Sequence, residues 1–140
     1  MAKTKLKSYW LVKSEPFKYS WNQLLQDGET FWDGVRNYAA RNNLKAMQKG
    51  DLVLFYHSNE GLEIVGVASV KRTAYQDPTT DDEAWVAVDL IPKHSFSTPV
   101  TLKMIKVDPL LKNMEMIRLN RLSVSKVTEE EFEYILHLGQ

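Results

Sequence analysis

Short apolar runs broken by turn residues, rather than long periodic stretches, organise this chain. Ser8-Tyr9-Trp10-Leu11-Val12-Lys13 is apolar and aromatic and stops before Pro16, which predicts a strand. Ser20 stands three positions before Gln23, the spacing of a capping box, with Tyr19 and Leu24 placed as a hydrophobic staple. The helix it opens is short and ends at Asp27-Gly28. Asn37 is the candidate cap of a second helix from Tyr38 to Met47, closed by Gly50, on which Ala40, Leu44 and Met47 share a face. Residues 51–57 and 64–70 read as two strands of a hairpin turning at Asn59-Glu60-Gly61. Gly66 inside the second strand marks a bulge or a close backbone approach.

After the polar loop 76–82, Ala84, Val86, Val88 and Leu90 alternate onto one side of a further strand that stops before Pro92. Residues 100–107 read as a weaker strand and 109–116 as a helical turn. The last helix is sharply marked: Thr128 caps it, Glu131 completes a capping box, and Val127 with Phe132 form the staple. Phe132, Ile135 and Leu136 face inward. Strands joined by short connections, with helices near the start and the end, predict an α+β domain. Its sheet is mixed or antiparallel and curls toward a barrel. Nothing in the chain reads as a repeat or a linker, so residues 8–140 are expected to form one domain after a flexible stretch, residues 1–7.

Composition narrows the function more than the fold. At 140 residues, a single domain buries roughly two-thirds of its unfolded surface, enough for a core of its own. There is no cysteine, which removes disulfides, thiol chemistry and cysteine metal sites. The basic N-terminus is not followed by an apolar stretch of signal-peptide length, and no run approaches a membrane span, so a cytoplasmic protein without membrane contact is expected. Eighteen basic residues balance eighteen acidic ones, which argues against a DNA-coating role driven by phosphate neutralisation. The balance is uneven: residues 1–75 hold eleven Lys/Arg against seven Asp/Glu, and the remainder reverses those counts. A modest basic face built from the first half and scattered solvated charge are both compatible with this.

Candidate chemistry is sparse. His57, His94 and His137 lie on separate elements, without metal-ligand spacing, and no phosphate-binding glycine loop occurs, so no metal and no cofactor are expected. His57-Ser58, at a strand end, is the best local hydroxyl–base pair, but adjacent strand residues point to opposite faces. Ser14-Glu15 is a second hydroxyl with a carboxylate, and neither lies in a nucleophile elbow. Four tryptophans are more informative. Trp21 and Trp85 read as core. Trp32 stands in Phe31-Trp32-Asp33-Gly34-Val35-Arg36-Asn37-Tyr38, where neither a helix nor a strand period is evident. An aromatic ring, an arginine and an asparagine on one loop suit a flat ligand, because bases stack on rings and Arg or Asn bond base edges or phosphate. The alternative is a packed connection in which Arg36 pairs with Asp33.

Tyr9-Trp10-Leu11-Val12-Lys13-Ser14-Glu15-Pro16 resembles the opening signature of the EVE domain family, and Trp32-Asp33-Gly34-Val35-Arg36-Asn37-Tyr38-Ala39-Ala40-Arg41-Asn42 its central motif. Gly50-Asp51, Phe55-Tyr56-His57-Ser58, Ile64-Val65-Gly66, Tyr75-Gln76-Asp77-Pro78-Thr79, Trp85 and Arg121-Leu122-Ser123-Val124 follow in the family's order. The resemblance implies a PUA-like fold, a curled barrel flanked by short helices and related to YTH and ASCH domains. It also implies non-catalytic binding of a modified nucleobase, chiefly methylated or hydroxymethylated cytosine, extruded into an aromatic pocket. DNA is favoured over RNA as the partner. An RNA-binding module and a hydrolase or nuclease are the alternatives, and a partner nuclease or other protein is compatible with the binding role. Carried onto this chain, the base pocket comprises Trp10, Ser14, Trp32, Val35, Asn37, Tyr56, His57 and Ser58, with Trp10 or Tyr56 as a wall facing Trp32. Lys13, Arg36, Arg41 and Arg121 take phosphate or edge contacts.

Overall fold

A computed structural model describes residues 8–140; the segment 1–7, expected to be flexible, lies outside the described residues. The chain runs β1 (Tyr9–Ser14), α1 (Trp21–Asp27), β2 (Thr30–Trp32), α2 (Tyr38–Ala46), β3 (Leu52–His57), β4 (Glu63–Gln76), β5 (Val86–Thr101), α3 (Leu102–Val107), α4 (Glu115–Arg118), β6 (Val124–Val127) and α5 (Glu129–Leu138). The strands form one mixed sheet in the order β2-β5-β4-β3-β1-β6. Among the described residues only β1 and β3 pair in parallel, because α1, β2 and α2 are spent crossing between them. The architecture is α+β; the sheet has β2 and β6 as its two edges and is not closed into the expected barrel.

The local signals that act over three or four residues appear where the sequence puts them. Ser20, Asn37 and Thr128 each accept a bond from the backbone three residues on. The box at Thr128 is complete, whereas the Gln23 side chain turns away to Asp27. Gly28 takes the left-handed conformation, φ 79°, that ends α1.

Four elements differ from expectation. Residues 102–107 form the helix α3 rather than a strand, because Thr101 caps it through Met104 N–H and buries Ile105. The strand expected to stop before Pro92 runs on to Thr101 as β5. Its neighbour β2 reaches only Val88–Leu90, so Pro92 lies where β5 has β4 alone beside it. Trp32 ends the short edge strand β2, and β6 forms where no strand was read.

The sheet separates two apolar clusters. Trp10, Val12, Trp21, Leu24, Leu44, Phe55, Val88 and Leu90 pack on one side with α1 and α2. Leu11, Leu54, Tyr56, Phe96, Ile105, Met116, Phe132 and Ile135 pack on the other with α3, α4 and α5. Gly66 permits the first: a Cβ there would meet the Trp21 ring at 2.5 Å. The sheet register also shifts beside it, so the expected bulge and close approach coincide.

A candidate nucleobase cavity

Where β1, β2 and β3 end, their following loops enclose a cavity of about 700 Å³. Its lining includes Lys13 and Ser14 from the end of β1, Trp32 from β2, Val35 and Arg36 from the loop after β2, Ser58 after β3, and Arg121 before β6. Those are seven of the residues singled out from the sequence. The lining also holds Lys18, Glu15 and Asp33, so four cationic side chains (Lys13, Lys18, Arg36, Arg121) face two anionic ones in a chain of zero net charge.

Trp32 is half-buried and fixed from two sides. Phe55 meets its ring edge-on at 5.5 Å and Tyr19 at 6.5 Å. The indole packs against the first core cluster while lining the cavity. Ser14 Oγ donates to Tyr19 O at 2.5 Å, which leaves its lone pairs as acceptors toward the cavity. Ser58 N–H donates to Ser14 O at 2.9 Å and ties the ends of β1 and β3 together. The Lys13 ammonium donates to Asn120 O at 2.9 Å, and burial pulls its pKa below the ordinary lysine value.

Asp77 has no exposed surface and is the residue that sequence reasoning left without a role. One of its oxygens accepts from Gly34 N–H at 2.8 Å and from Arg36 Nη1 at 2.9 Å; the other accepts from Thr79 N–H at 2.7 Å. Burial alone would raise its pKa; the bonds from Thr79, the Gly34 amide and Arg36 outweigh it and hold the carboxyl at about 2. Asp77 thus anchors the loop that carries Val35 and Arg36. Arg36 pairs with this carboxylate rather than with Asp33. The signal was present as Asp-Pro-Thr, a turn whose aspartate bonds the backbone two residues on.

Five singled-out residues lie elsewhere. Trp10 is 4% exposed and its indole N–H donates to buried Asp51 at 3.0 Å, so it belongs to the core and cannot wall the cavity. Tyr56 points to the opposite side of the sheet from Phe55, where it lines a separate cavity of about 260 Å³ with Met116 and Ile117; Lys13 and Ser58 border both. Asn37 is taken up in capping α2, accepting from Ala40 N–H at 2.9 Å. Arg41 is turned to Ala84 O and Asn42 and lies over the Tyr38 ring. His57 Nε2 accepts from Trp21 N–H at 3.1 Å, so that nitrogen is occupied rather than turned to Ser58. Burial draws the imidazole pKa down, partly opposed by Glu63. Trp85, read as core, is half-buried and instead stacks with Tyr38 at 4.9 Å.

The chain as a whole is similar to known proteins. Thymocyte nuclear protein 1 of Mus musculus is 37% identical, covering 96% of this chain and 75% of that protein. The crystal structure of human THYN1 protein in complex with 5-methylcytosine-containing DNA superposes with a TM-score of 0.87 at 33% identity, covering 96% of this chain and 98% of that one. The YTH domain of Zygosaccharomyces rouxii MRB1 protein, solved with N6-methyladenosine RNA, shares the fold at a TM-score of 0.61 and 13% identity, over 100% of this chain and 91% of that one. The model of the EVE domain matches residues 8–138, nearly every described residue, and the chain belongs to the EVE domain family.

Proposed function

We propose that this protein binds DNA through one extruded, modified cytosine seated in the 700 Å³ cavity, and does no chemistry on it. The observation that carries the reading is the Trp32 indole, held edge-on by Phe55 and Tyr19 yet lining open space beside Ser14. A ring so fixed loses little freedom when a flat heterocycle stacks on it, and such stacking contributes about 1–3 kcal/mol per base. Extruding the base costs a few kcal/mol. A buried methyl adds on the order of 0.8 kcal/mol. Ser14 and Ser58 are placed for the polar edge of the base. Lys18 and Arg121 are placed for flanking phosphates, which position the strand without reading it. The human relative solved with 5-methylcytosine-containing DNA supports the choice of ligand class.

The test is a titration of matched oligonucleotides carrying cytosine, 5-methylcytosine or 5-hydroxymethylcytosine at one position, as DNA and as RNA. The expected result is tighter binding of a modified DNA strand than of its unmodified or RNA counterpart. Equal affinity across the panel contradicts the reading, a preference for the RNA strands corrects its partner, and turnover of the oligonucleotide refutes binding without chemistry.

A further inference from the structure

We propose that Phe17 is a wedge that occupies the gap left in a DNA duplex when a base leaves the stack. The inference rests on the base-binding reading and adds to it a residue outside the cavity. Phe17 is 66% exposed and belongs to neither core cluster. It stands on the turn between Glu15 and Lys18, both of which line the cavity.

That turn is pinned from several sides. Lys18 N–H and Tyr19 N–H both donate to Glu15 O at 2.9 Å. Ser14 Oγ holds Tyr19 O, and Asn59 Nδ2 donates to Glu15 Oε2 at 2.6 Å. Lys18 closes an ion pair with Glu15 at 3.2 Å. An aromatic side chain left in water contributes almost nothing to folding, because burial is what stabilises it. Here one is held in water on a braced support at the rim of a cavity proposed to receive a base. Proteins that distort duplexes insert apolar side chains between base steps in this way.

The other exposed apolar side chains do not meet these conditions. Phe31 lines the cavity itself, which places it with the bound base. Val107 and Leu110 lie at the end of α3 and beyond it, a region absent from this cavity's lining. Lys18, beside Phe17 and largely exposed, supplies a cation for the phosphate next to the gap.

The experiment compares wild type, Phe17→Ala and Phe17→Trp on one sequence, with and without the modified base, presented as a single strand and as a duplex. A single strand needs no base pair opened and leaves no gap to fill. Phe17→Ala is expected to weaken duplex binding at least tenfold while single-strand binding stays within about twofold. Phe17→Trp is expected to retain duplex binding. Equal losses on both substrates, or no loss on the duplex, overturn the wedge and leave the cavity reading intact. If wild type fails to prefer the modified single strand, the cavity reading falls and the wedge falls with it.

Discussion

The Asp77 carboxylate and the Gly34 amide are joined by a 2.8 Å hydrogen bond across 43 positions of sequence. Gly34 has a φ of 76°, a conformation that favours glycine, and the loop after β2 is caught there by a buried anion. The same oxygen takes Arg36, so one acceptor sets both the path of the loop and the side chain at its end.

Asp77→Ala is therefore expected to destabilise the protein by about 1–3 kcal/mol, because Gly34 N–H and Thr79 N–H lose their acceptor. It is also expected to lower oligonucleotide affinity more than tenfold. Urea unfolding and titration check the two effects; unchanged affinity in a folded variant would show that the loop does not need its anchor.

The same carboxyl makes stability depend on acid. Its folded pKa of about 2 lies below the ordinary 3.8, so its contribution is full above the unfolded value and is lost as pH falls from about 4 toward about 2. Acid unfolding of wild type and Asp77→Asn is expected to converge in that window. A difference that persists unchanged to about pH 2 contradicts it.

His57 acts at milder pH. Its imidazole accepts from the N–H of Trp21, the first residue of α1, and burial holds its pKa below 6.5. As pH drops through 6.5 the unfolded chain takes up a proton that the folded imidazole resists, so the folded state loses stability down to the folded pKa. The stability advantage of wild type over His57→Gln is expected to be full above about pH 6.5 and to shrink as the pH falls below it. A constant advantage would show that the ring is not held neutral.

Gly66→Ala tests the packing beneath the cavity. The new methyl would meet the Trp21 ring, which is held by a 2.8 Å bond to Ser95 Oγ and by Phe55. Overpacking of this kind costs about 1–3 kcal/mol. A variant as stable as wild type in urea would show that the ring shifts freely.

What the sequence makes legible is what acts locally. Ser20, Asn37 and Thr128 announce their helices because a cap is a contact over three residues. β2 and β6, three and four residues long, exist by pairing with β5 and β1, which no local pattern records. The motifs mark the cavity through Ser14, Trp32, Val35 and Ser58, but they also carry Trp10 and Tyr56, which do not line it. The alternation of a strand explains the second case: Phe55 and Tyr56 are neighbours in a motif and face opposite sides of the sheet. Asp77 stands within a motif, but its function is not legible there, since its partners lie 43 and 41 positions away.

The central claim is that the Trp32 ring reads the base. The measurement that tests it most directly is the ratio of affinities for a single strand with and without 5-methylcytosine, in wild type and in Trp32→Ala, each confirmed folded by urea unfolding. The expected ratio is well above one in wild type, about one in Trp32→Ala, and intermediate in Trp32→Phe, because a base stacks on either ring. A Trp32→Ala protein that keeps the wild-type ratio would contradict the account and leave Trp32 as packing for Phe55 and Tyr19.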